Sequence, residues 1–412
     1  MEPQPQKRIA IIGGGAAGFF TALTLKEKNP QSQIALFEKR NDWLTKVKIS
    51  GGGRCNVTHF CFDPEELSKK YPRGAKELRA AFYKWQPSDM IEWFADRNIS
   101  LKNEADGRMF PTTDDSQTII NCFMEEAEGS QINLRKGIGI ENFFLEEAGS
   151  FSLKIKDSET EYFDALCLTT GSLKGSLLEH SIRKLGHSIE PLAPSLFAFN
   201  VNNKRLKSLA GISVPSAEVW IDSKHSLQSG PLLITHRGMS GPAILKLSAW
   251  EARNLQNKGY HFDFYVNWLA DETEGSIKEQ FDRNRDSQGK KTIKNTPLLK
   301  LPKRLWESLV EYSKISANTT WAQLSKDLEQ ALINEIVSGH YIAQGKTTNK
   351  DEFVTCGGVR RKDINFKTME SKYVPNLFFA GECIDIDGIT GGFNFQAAWT
   401  TGRLAGIAMA QI

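Results

Sequence analysis

Two runs of four apolar residues near the start of the chain flank a longer mixed segment. Residues 9–12 and 34–37 have the continuous apolar pattern of parallel strands that are covered on both faces. Residues 16–28 contain no proline and stop at Asn29-Pro30, where a helix is expected to end. The pattern therefore predicts a strand, a helix and a second parallel strand.

The pattern of apolar and polar positions also predicts the helices and strands of the rest of the chain. Apolar positions recur at helical spacing in residues 64–97 and 114–126, and residues 271–345 are predicted to be helical and polar. Short strands of an edge meander are predicted at 132–134, 137–140 and 151–155, and further β-rich segments at 195–201, 217–221, 231–235 and 261–268. Further buried strands are predicted at 165–171, ending in glycine, and at 376–380, followed by a last helix at about 395–410.

A glycine turn joins the first predicted strand to the first predicted helix. Residues 13–18 have the pattern G-x-G-x-x-G. Gly13 would permit a sharp turn, Gly15 the approach of backbone to a pyrophosphate, and Gly18 close packing of helix on strand. Ala16 and Ala17 open the helix, whose N–H groups would face the phosphates. The turn predicts a dinucleotide site.

An acidic residue stands at the end of the second predicted strand. Glu38, which is followed by Lys39, comes about 20 residues after Gly18, where an acid accepts a ribose hydroxyl. An acid at this place disfavours a 2′-phosphate. The expected ligand is therefore FAD or NAD rather than NADP.

A run of three glycines follows a short basic segment. Gly51, Gly52 and Gly53 favour neither helix nor strand and present several N–H donors. Lys46 and Arg54 surround them with positive charge. We interpret the run as a second anion cradle, and a mobile surface loop is the alternative on composition alone.

Composition narrows the class of protein. The 412 residues are 25% charged with a net charge of +3, so no global feature points to nucleic acid or an anionic membrane. The six cysteines are scattered without C-x-x-C, which argues against disulfides and zinc. With no signal peptide or spanning segment in the pattern, we expect a cytoplasmic protein that has no metal.

Several ordered motifs resemble one bacterial flavoprotein family. They are Ser-Gly-Gly-Gly-Arg-Cys-Asn-Val-Thr at 50–58, Gly-Arg-Met-Phe-Pro at 107–111, Thr-His-Arg-Gly-Met-Ser-Gly-Pro-Ala-Ile-Leu at 235–245, and a C-terminal series from Gly357 to Asn394. Together they span essentially the whole chain. The sequence is identified as a member of the HI0933-like, or BaiN/aminoacetone oxidase-like, family.

The resemblance implies FAD, with NADH or NADPH as a transient reductant. Taken with the motifs above, the expected FAD-binding residues lie at both ends of the chain: Gly13, Gly15, Ala16, Ala17, Gly18, Glu38, Lys39, Lys46, Ser50, Gly51, Gly52, Gly53, Arg54, Cys55, Asn56, Ile138, Thr170, Gly171, Gly381, Glu382, Asp387, Gly388, Gly391, Gly392, Phe393 and Asn394. Ile138 is included by analogy with FAD enzymes in which backbone near this position holds the adenine, and it fits a core position equally well. The catalytic residue is open, with Cys55 and His236 as candidates.

The implied architecture is α/β, with a Rossmann-like FAD-binding domain of the two-dinucleotide-binding-domain type. Residues 1–190 plus 355–412 would form it, residues 191–270 plus about 340–354 a β-barrel-like substrate domain, and residues 271–339 a small helical domain. The resemblance implies an oxidoreductase whose flavin exchanges hydride with a small organic substrate. The reaction would be C=C reduction with NAD(P)H or amine oxidation with O2.

Two alternatives stay open. One is a flavoprotein that binds or modifies RNA, which would suit residues 278–304, where nine Lys or Arg stand against three Asp or Glu. A solvated linker would also account for this positive charge, and no nucleic acid partner is expected. The other is a flavin-bound sensor without turnover. The loop at 172–184 is shorter than in the family, so the contacts that the family's loop makes with substrate or pyrophosphate are weak evidence for the same contacts in this chain.

Overall fold

The computed structural model describes residues 6–298, 301–347 and 354–412. The chain divides into two compact units, Met1–Ala193 with Lys350–Ile412, and Pro194–Asn349. The first unit therefore contains both ends of the polypeptide.

The strands fall into three groups along the chain. Those before the second unit are β1 (Arg8–Ile12), β2 (Gln33–Glu38), β3 (Thr58–His59), β4 (Leu101–Asn103), β5 (Arg108–Pro111), β6 (Asn133–Lys136), β7 (Ile140–Leu145), β8 (Phe151–Ile155), β9 (Glu161–Phe163), β10 (Ala165–Leu168) and β11 (Ile189–Pro194). The second unit has β12 (Ala198–Asn200), β13 (Ser213–Ile221), β14 (Ser223–Thr235), β15 (Gly238–Ser240), β16 (His261–Asn267), β17 (Gly339–Gln344) and β18 (Lys346–Thr347). The last strands are β19 (Thr355–Val359), β20 (Ile364–Asn365), β21 (Glu370–Ser371) and β22 (Leu377–Phe379).

The helices are distributed over the whole chain. They are α1 (Ala16–Lys28), α2 (Thr45–Gly53), α3 (Pro64–Ser68), α4 (Ala75–Phe82), α5 (Pro87–Ala95), α6 (Ser116–Gly129), α7 (Leu178–Lys184), α8 (Pro242–Trp250), α9 (Ala252–Asn257), α10 (Glu274–Gln288), α11 (Lys303–Tyr312), α12 (Lys326–Ser338) and α13 (Phe393–Met409). Single 3-10 turns lie at Lys204–Leu206, Ile293–Asn295, Trp321–Gln323, Arg361–Asp363 and Gly381–Cys383.

A seven-stranded sheet with a parallel centre organises the first unit. Its order is β20-β21-β22-β10-β1-β2-β6, and the pairs from β22 to β6 are parallel. Ile12 lies between Phe37 and Leu168, so three strands end at the same edge of the sheet. The residues of the first two apolar runs are buried, which confirms the strands that their pattern predicted.

The first and last long helices pack against each other at unusually short range. A Cβ at Gly402 would lie 2.9 Å from the carbonyl oxygen of Ala17, and one at Gly406 would lie 2.6 Å from Cβ of Thr24. Only glycine permits this approach of backbone to backbone. The contact fixes the C-terminal segment beside the first glycine turn.

Two details differ from the sequence-based expectation. Residues 132–134 were expected at an edge meander, but β6 pairs in parallel with β2 in the main sheet, while β7, β8 and β9 form the antiparallel meander. Residues 64–97, expected to be helical with a break at Pro87, form three short helices, because left-handed Gly74 (φ 88°) interrupts the chain as well. Local periodicity indicates helix there but not the interruption at Gly74.

The second unit is built on an antiparallel sheet of order β17-β16-β13-β14-β15-β12-β18. One hydrophobic core contains residues from this sheet, from α10, α11 and α12 and from the 3-10 turn at Trp321–Gln323, including Phe264, Trp306, Trp321 and Tyr341. Buried Arg205 ion-pairs with Glu335 and stacks 3.7 Å from the Tyr341 ring. The helical segment and the sheet therefore share a single core.

Candidate cofactor site

Sterics account for two glycines of the first turn. Gly13 has φ +119°, and a Cβ there would lie 2.3 Å from the carbonyl oxygen of Thr169. A Cβ at Gly18 would lie 1.9 Å from the carbonyl oxygen of Gly13. The turn and the helix can therefore approach β1 and β10 only if both positions are glycine.

Gly15 is different, because its side-chain position faces open space. Apart from Gly15 and its two neighbours in the chain, no heavy atom of the described residues lies within 4 Å of a Cβ built there, and the backbone is extended (φ −96°, ψ −167°). In the described part of the chain, the N–H groups of Ala16, Ala17 and Gly18 have no protein acceptor. An open cradle in front of orphan helix N–H groups fits the pyrophosphate of a dinucleotide.

Glu38 and Ile138 meet at the edge of the same sheet. The Glu38 carboxylate accepts the N–H of Gly14 and the N–H of Arg40, each at 2.9 Å, and Ile138 N–H donates to the Glu38 carbonyl, also at 2.9 Å. Exposed Lys39 follows Glu38. Both residues that sequence reasoning assigned to the adenosine end of FAD are thus adjacent, and each carboxylate oxygen of Glu38 can still accept a further bond.

The three-glycine run is an interruption at the end of α2. Ser50 has ψ 148°, and Gly51, Gly52 and Gly53 all have positive φ (59°, 71° and 87°). A Cβ at Gly51 would lie 2.7 Å from the Phe110 ring, whereas positions 52 and 53 have open space around them. The backbone changes hand between Gly53 (φ 87°) and the right-handed Arg54 (φ −94°, ψ −15°), and residues of alternating hand point their N–H groups to one side, as in an anion-binding nest.

The two cations beside this run are already paired. Nη1 of Arg54 lies 2.6 Å from Oε1 of Glu104, which raises the pKa of Arg54, and the guanidinium stacks 4.0 Å from the Phe110 ring. Lys46 ion-pairs with Glu382, whose other oxygen accepts the Thr355 N–H at 2.9 Å. Sequence reasoning expected both cations to serve an anion, but each has a carboxylate partner in the structure.

Asn56 ties the first glycine-rich segments to the last one. With its amide oriented by its partners, Oδ1 accepts the Gly392 N–H at 2.9 Å and Nδ2 donates to the Thr58 carbonyl at 3.0 Å. His59 Nδ1 lies 2.9 Å from the Gly391 carbonyl oxygen. The segment at 56–59 therefore lies directly on the Gly391-Gly392 turn.

This turn leads into α13, whose first N–H groups are available. Those of Phe393, Asn394 and Phe395 have no protein acceptor within the described ranges, whereas the Gly392 N–H is taken by Asn56. The Asn394 side chain closes the preceding loop through two 2.9 Å bonds to the backbone of Gly388. A helix N-terminus exposed in this way attracts partial negative charge.

Asp387 stands apart from the other predicted contacts because it is fully buried. Its carboxylate forms a bidentate ion pair with Arg73, whose pKa it raises against the effect of burial. The nearby Tyr71 hydroxyl donates to the Phe393 carbonyl at 2.6 Å. Asp387 therefore positions the loop before α13, and its expected contact with a cofactor stays a prediction.

The predicted cofactor contacts that have not yet been described follow β10 or lie in the 3-10 turn at Gly381–Cys383. Thr170 and Gly171 follow β10, and a Cβ at Gly171 would lie 3.6 Å from Glu382 Oε2. Gly381 packs on α1, because its Cβ would lie 2.9 Å from that of Ala17 and its N–H donates to Thr401 at 2.9 Å. The shortened loop at 172–184 contains the helix α7.

Neither catalytic candidate gains support. Cys55 is buried, and burial raises the pKa of its thiol to about 12, so the nucleophilic thiolate is scarce at neutral pH. Cys383, also in a cofactor motif, is equally buried and its pKa is likewise raised to about 12. His236 lies in the second unit, exposed in the turn between β14 and β15.

Thiol labelling at pH 8 tests this assignment. We expect iodoacetamide to modify only Cys61, the one partly exposed cysteine, in the native protein. A pKa near 12 leaves Cys55 and Cys383 with about a thousandth of the thiolate of an ordinary thiol. Mass spectrometry of the labelled peptides gives the answer, with urea-unfolded protein as the control in which all six react. Rapid native labelling of Cys55 would contradict the assignment.

Sequence reasoning missed three residues that shape the site, namely His59, Tyr71 and Arg73. His59 could have been noticed because it directly follows the family motif at 50–58. The other two carry no sequence signal, because their partners are more than 300 positions away. Within the described ranges no cluster of residues could hold a metal ion, and no helix is long and apolar enough to cross a membrane.

Comparison with known proteins gives a family and full-length relatives. A family model described as "HI0933-like protein Rossmann domain" matches residues 7–408. The chain is 30% identical to a ribosomal RNA dihydrouridine synthase of Escherichia coli, covering 95% of both chains. It is 26% identical to a 3-dehydro-bile acid delta(4,6)-reductase of Clostridium scindens, covering 98% of this chain and 99% of the relative.

Solved structures agree on the fold. A 3-ketosteroid-delta4-(5alpha)-dehydrogenase from Rhodococcus jostii matches with a TM-score of 0.50 and 12% identity, covering 100% of this chain and 98% of that one. A 3-ketosteroid delta1-dehydrogenase from Sterolibacterium denitrificans matches with a TM-score of 0.52 and 9% identity, covering 98% and 100%. At such identities the likeness concerns the fold alone, and that fold is a Rossmann-type FAD-binding fold.

Proposed function

The chain belongs to the HI0933-like family of FAD-dependent oxidoreductases, and on that premise we propose that it reduces a ring C=C bond conjugated to a carbonyl group. The reaction adds one hydride and one proton across the double bond and oxidises one NADH or NADPH. Both uracil in RNA and a steroid-like enone contain such a bond. The two kinds of named relative therefore differ in the carrier of the double bond rather than in the type of chemistry.

The observation that carries the proposal is the pair of open helix N-termini in one unit. The N–H groups at the start of α1 would hold the FAD pyrophosphate behind Gly15, and Glu38 would hold the ribose. FAD, when bound, supplies the hydride acceptor and donor. The start of α13 would stabilise negative charge on the flavin ring by up to about 2 kcal/mol, which favours its reduced form.

We infer that uracil within RNA is the substrate, which departs from the sequence-based expectation of no nucleic acid partner. Two relatives carry the name ribosomal RNA dihydrouridine synthase, the second being a Haemophilus influenzae protein that is 28% identical over 97% of this chain. The second unit also presents exposed Lys290 and Lys291, with Lys294 partly exposed. Charge of this kind contributes sequence-independent affinity for phosphate.

A steroid-like enone is the second candidate, favoured by the bile acid reductase among the relatives. Amine oxidation with O2 is the third reaction to be tested, because the family resemblance implied it. A flavin-bound sensor would carry out none of the three. All four possibilities predict a yellow protein, so cofactor content alone does not separate them.

Turnover measurements separate these possibilities. We expect purified protein to release FAD, identified by mass spectrometry, and to oxidise NADH or NADPH anaerobically only when uridine-containing RNA is present. The RNA should gain two hydrogen masses per reduced uracil. Oxidation of NADH or NADPH in the presence of a steroid enone, but not of RNA, would contradict RNA as the substrate and support the steroid-like enone. Oxygen consumption with amines alone, or no turnover with any substrate, would contradict it.

The basic residues provide a separate test of RNA binding. We expect Lys290→Glu, Lys291→Glu and Lys294→Glu together to weaken a gel shift with that RNA by at least about tenfold and to reduce its salt dependence, because phosphate contacts release counterions. Lys76→Glu, Lys84→Glu and Lys156→Glu together, at three exposed lysines of the first unit, are the matched control. A shift insensitive to the triple change would remove these lysines from the interface.

A further inference from the structure

Two neighbouring phenylalanine side chains are held in solvent beside the C-terminal glycine turn. Phe60 is 52% exposed and Phe62 38% exposed, and their ring centroids are 4.5 Å apart at 64°. The backbone beneath them is ordered, since Phe60 N–H donates to the Gly107 carbonyl at 2.7 Å. Two adjacent exposed aromatic rings on a fixed backbone form a small apolar surface on which a planar ring can pack.

The pair adjoins the turn that leads into α13. His59, directly before Phe60, stacks on Phe393 with ring centroids 4.5 Å apart, and its Nδ1 contacts the Gly391 carbonyl. These contacts belong to the first unit. The two rings therefore stand next to the segment to which the proposed function assigns the flavin.

The exposed area of the two rings indicates what size of partner could cover them. A fully buried aromatic side chain covers about 150–250 Å², so the exposed parts of the two rings offer roughly 200 Å². A stable protein interface needs about 800 Å² from each partner, which excludes a second copy of the chain as the main occupant. One planar ring matches the available area.

The charges that follow the pair indicate which part of a nucleic acid would lie there. Asp63 caps α3, and Glu65 and Glu66 lie in its first turn. Glu66 pairs with Lys69 and Glu65 lies 4.0 Å from Arg79, so these charges largely cancel and do not attract a phosphate, and the face of a neutral base carries no net charge either. Stacking on an aromatic side chain is available to every base.

We propose that Phe60 and Phe62 stack the base that flanks the target uracil in the RNA. This inference rests on the proposed function and adds a substrate-binding site to it. Holding the neighbouring base would splay the strand, so that the uracil ring can leave its own stack and face the flavin. The free energy of stacking the flanking base on the two phenylalanine rings would offset the cost of unstacking the uracil from its neighbours in the RNA.

The test is RNA affinity in flavin-loaded protein, measured with a single-stranded RNA in which 2-aminopurine flanks one uridine. We expect the double variant Phe60→Ala, Phe62→Ala to raise Kd about tenfold or more and to abolish the fluorescence quenching that stacking causes. Phe60→Leu with Phe62→Leu keeps apolar area without an aromatic face and should also lose quenching. Phe60→Tyr with Phe62→Tyr should stay within about twofold of the unaltered protein.

Phe144→Ala is the matched control, because Phe144 is 42% exposed on β7, in a different sheet. Equal loss in this variant, or full affinity and quenching in the double alanine variant, would overturn the stacking site while leaving RNA reduction intact. If the unaltered protein neither binds nor reduces the RNA, the proposed substrate fails and the inference fails with it. Flavin absorbance of every variant shows that the cofactor site is undisturbed.

Discussion

Gly15→Val is expected to yield a folded protein that leaves purification without flavin. The valine side chain would occupy the open space in front of the α1 N-terminus, where the described residues leave more than 4 Å clear. Loss of two charge-assisted hydrogen bonds to the pyrophosphate costs about 3–6 kcal/mol, which lowers FAD affinity at least a hundredfold. The extended backbone of Gly15 accepts valine, so the stability of the flavin-free protein should change by less than about 1 kcal/mol. The ratio of absorbance at 450 and 280 nm and urea unfolding of the apoprotein measure the two effects.

Gly18→Ala is the matched comparison within the same turn. Its methyl group would lie 1.9 Å from the Gly13 carbonyl oxygen and 2.8 Å from Thr169 Oγ1, so α1 must move away from the sheet. We expect a loss of about 1–3 kcal/mol in unfolding free energy together with loss of flavin. If Gly15→Val retained FAD, the pyrophosphate assignment would be wrong, whatever the outcome at Gly18.

The first turn shows why part of this site is readable from sequence. Gly13 needs a left-handed backbone (φ +119°) and Gly18 packs against the Gly13 carbonyl, so their spacing predicts the strand, turn and helix that the structure contains. The contact of Gly13 with Thr169, 156 positions away, has no such local signal. The burial of β1 and β2 follows from four consecutive apolar positions in each. Motifs whose mechanism is local are the ones that a single sequence can reveal.

The charged residues of the site show the opposite case. Lys46 and Arg54 had the residue types and the place of anion ligands, yet Glu382 and Glu104 pair with them. The Lys46 partner is 336 positions away, and no local pattern marks that separation. Burial of Cys55 likewise depends on packing from distant segments, so a thiol in a cofactor motif could not be recognised as unreactive. Sequence patterns locate such residues, but the fold decides which partners they have.

Asp387→Ala is expected to be the most destabilising single change at the site. Asp387 is completely buried, and its removal would leave the Arg73 guanidinium, itself only 8% exposed, without its carboxylate. Breaking a buried ion pair from one side typically costs about 3–5 kcal/mol. Because this pair joins the segment before α4 to the loop before α13, the Gly388-to-Gly392 turn should loosen and flavin should dissociate. Urea unfolding and flavin release on dilution report the two consequences.

Two comparisons make the Asp387 result specific to the buried pair. Asp114→Ala removes a carboxylate that is 43% exposed and paired with Lys102, so it should cost no more than about 1 kcal/mol. The double change Arg73→Met, Asp387→Leu removes both charges and should recover most of the lost stability, because no unpaired ion remains. If Asp387→Ala were as mild as Asp114→Ala, the ion pair would not be what holds the loop, and the open N-terminus of α13 would need another support.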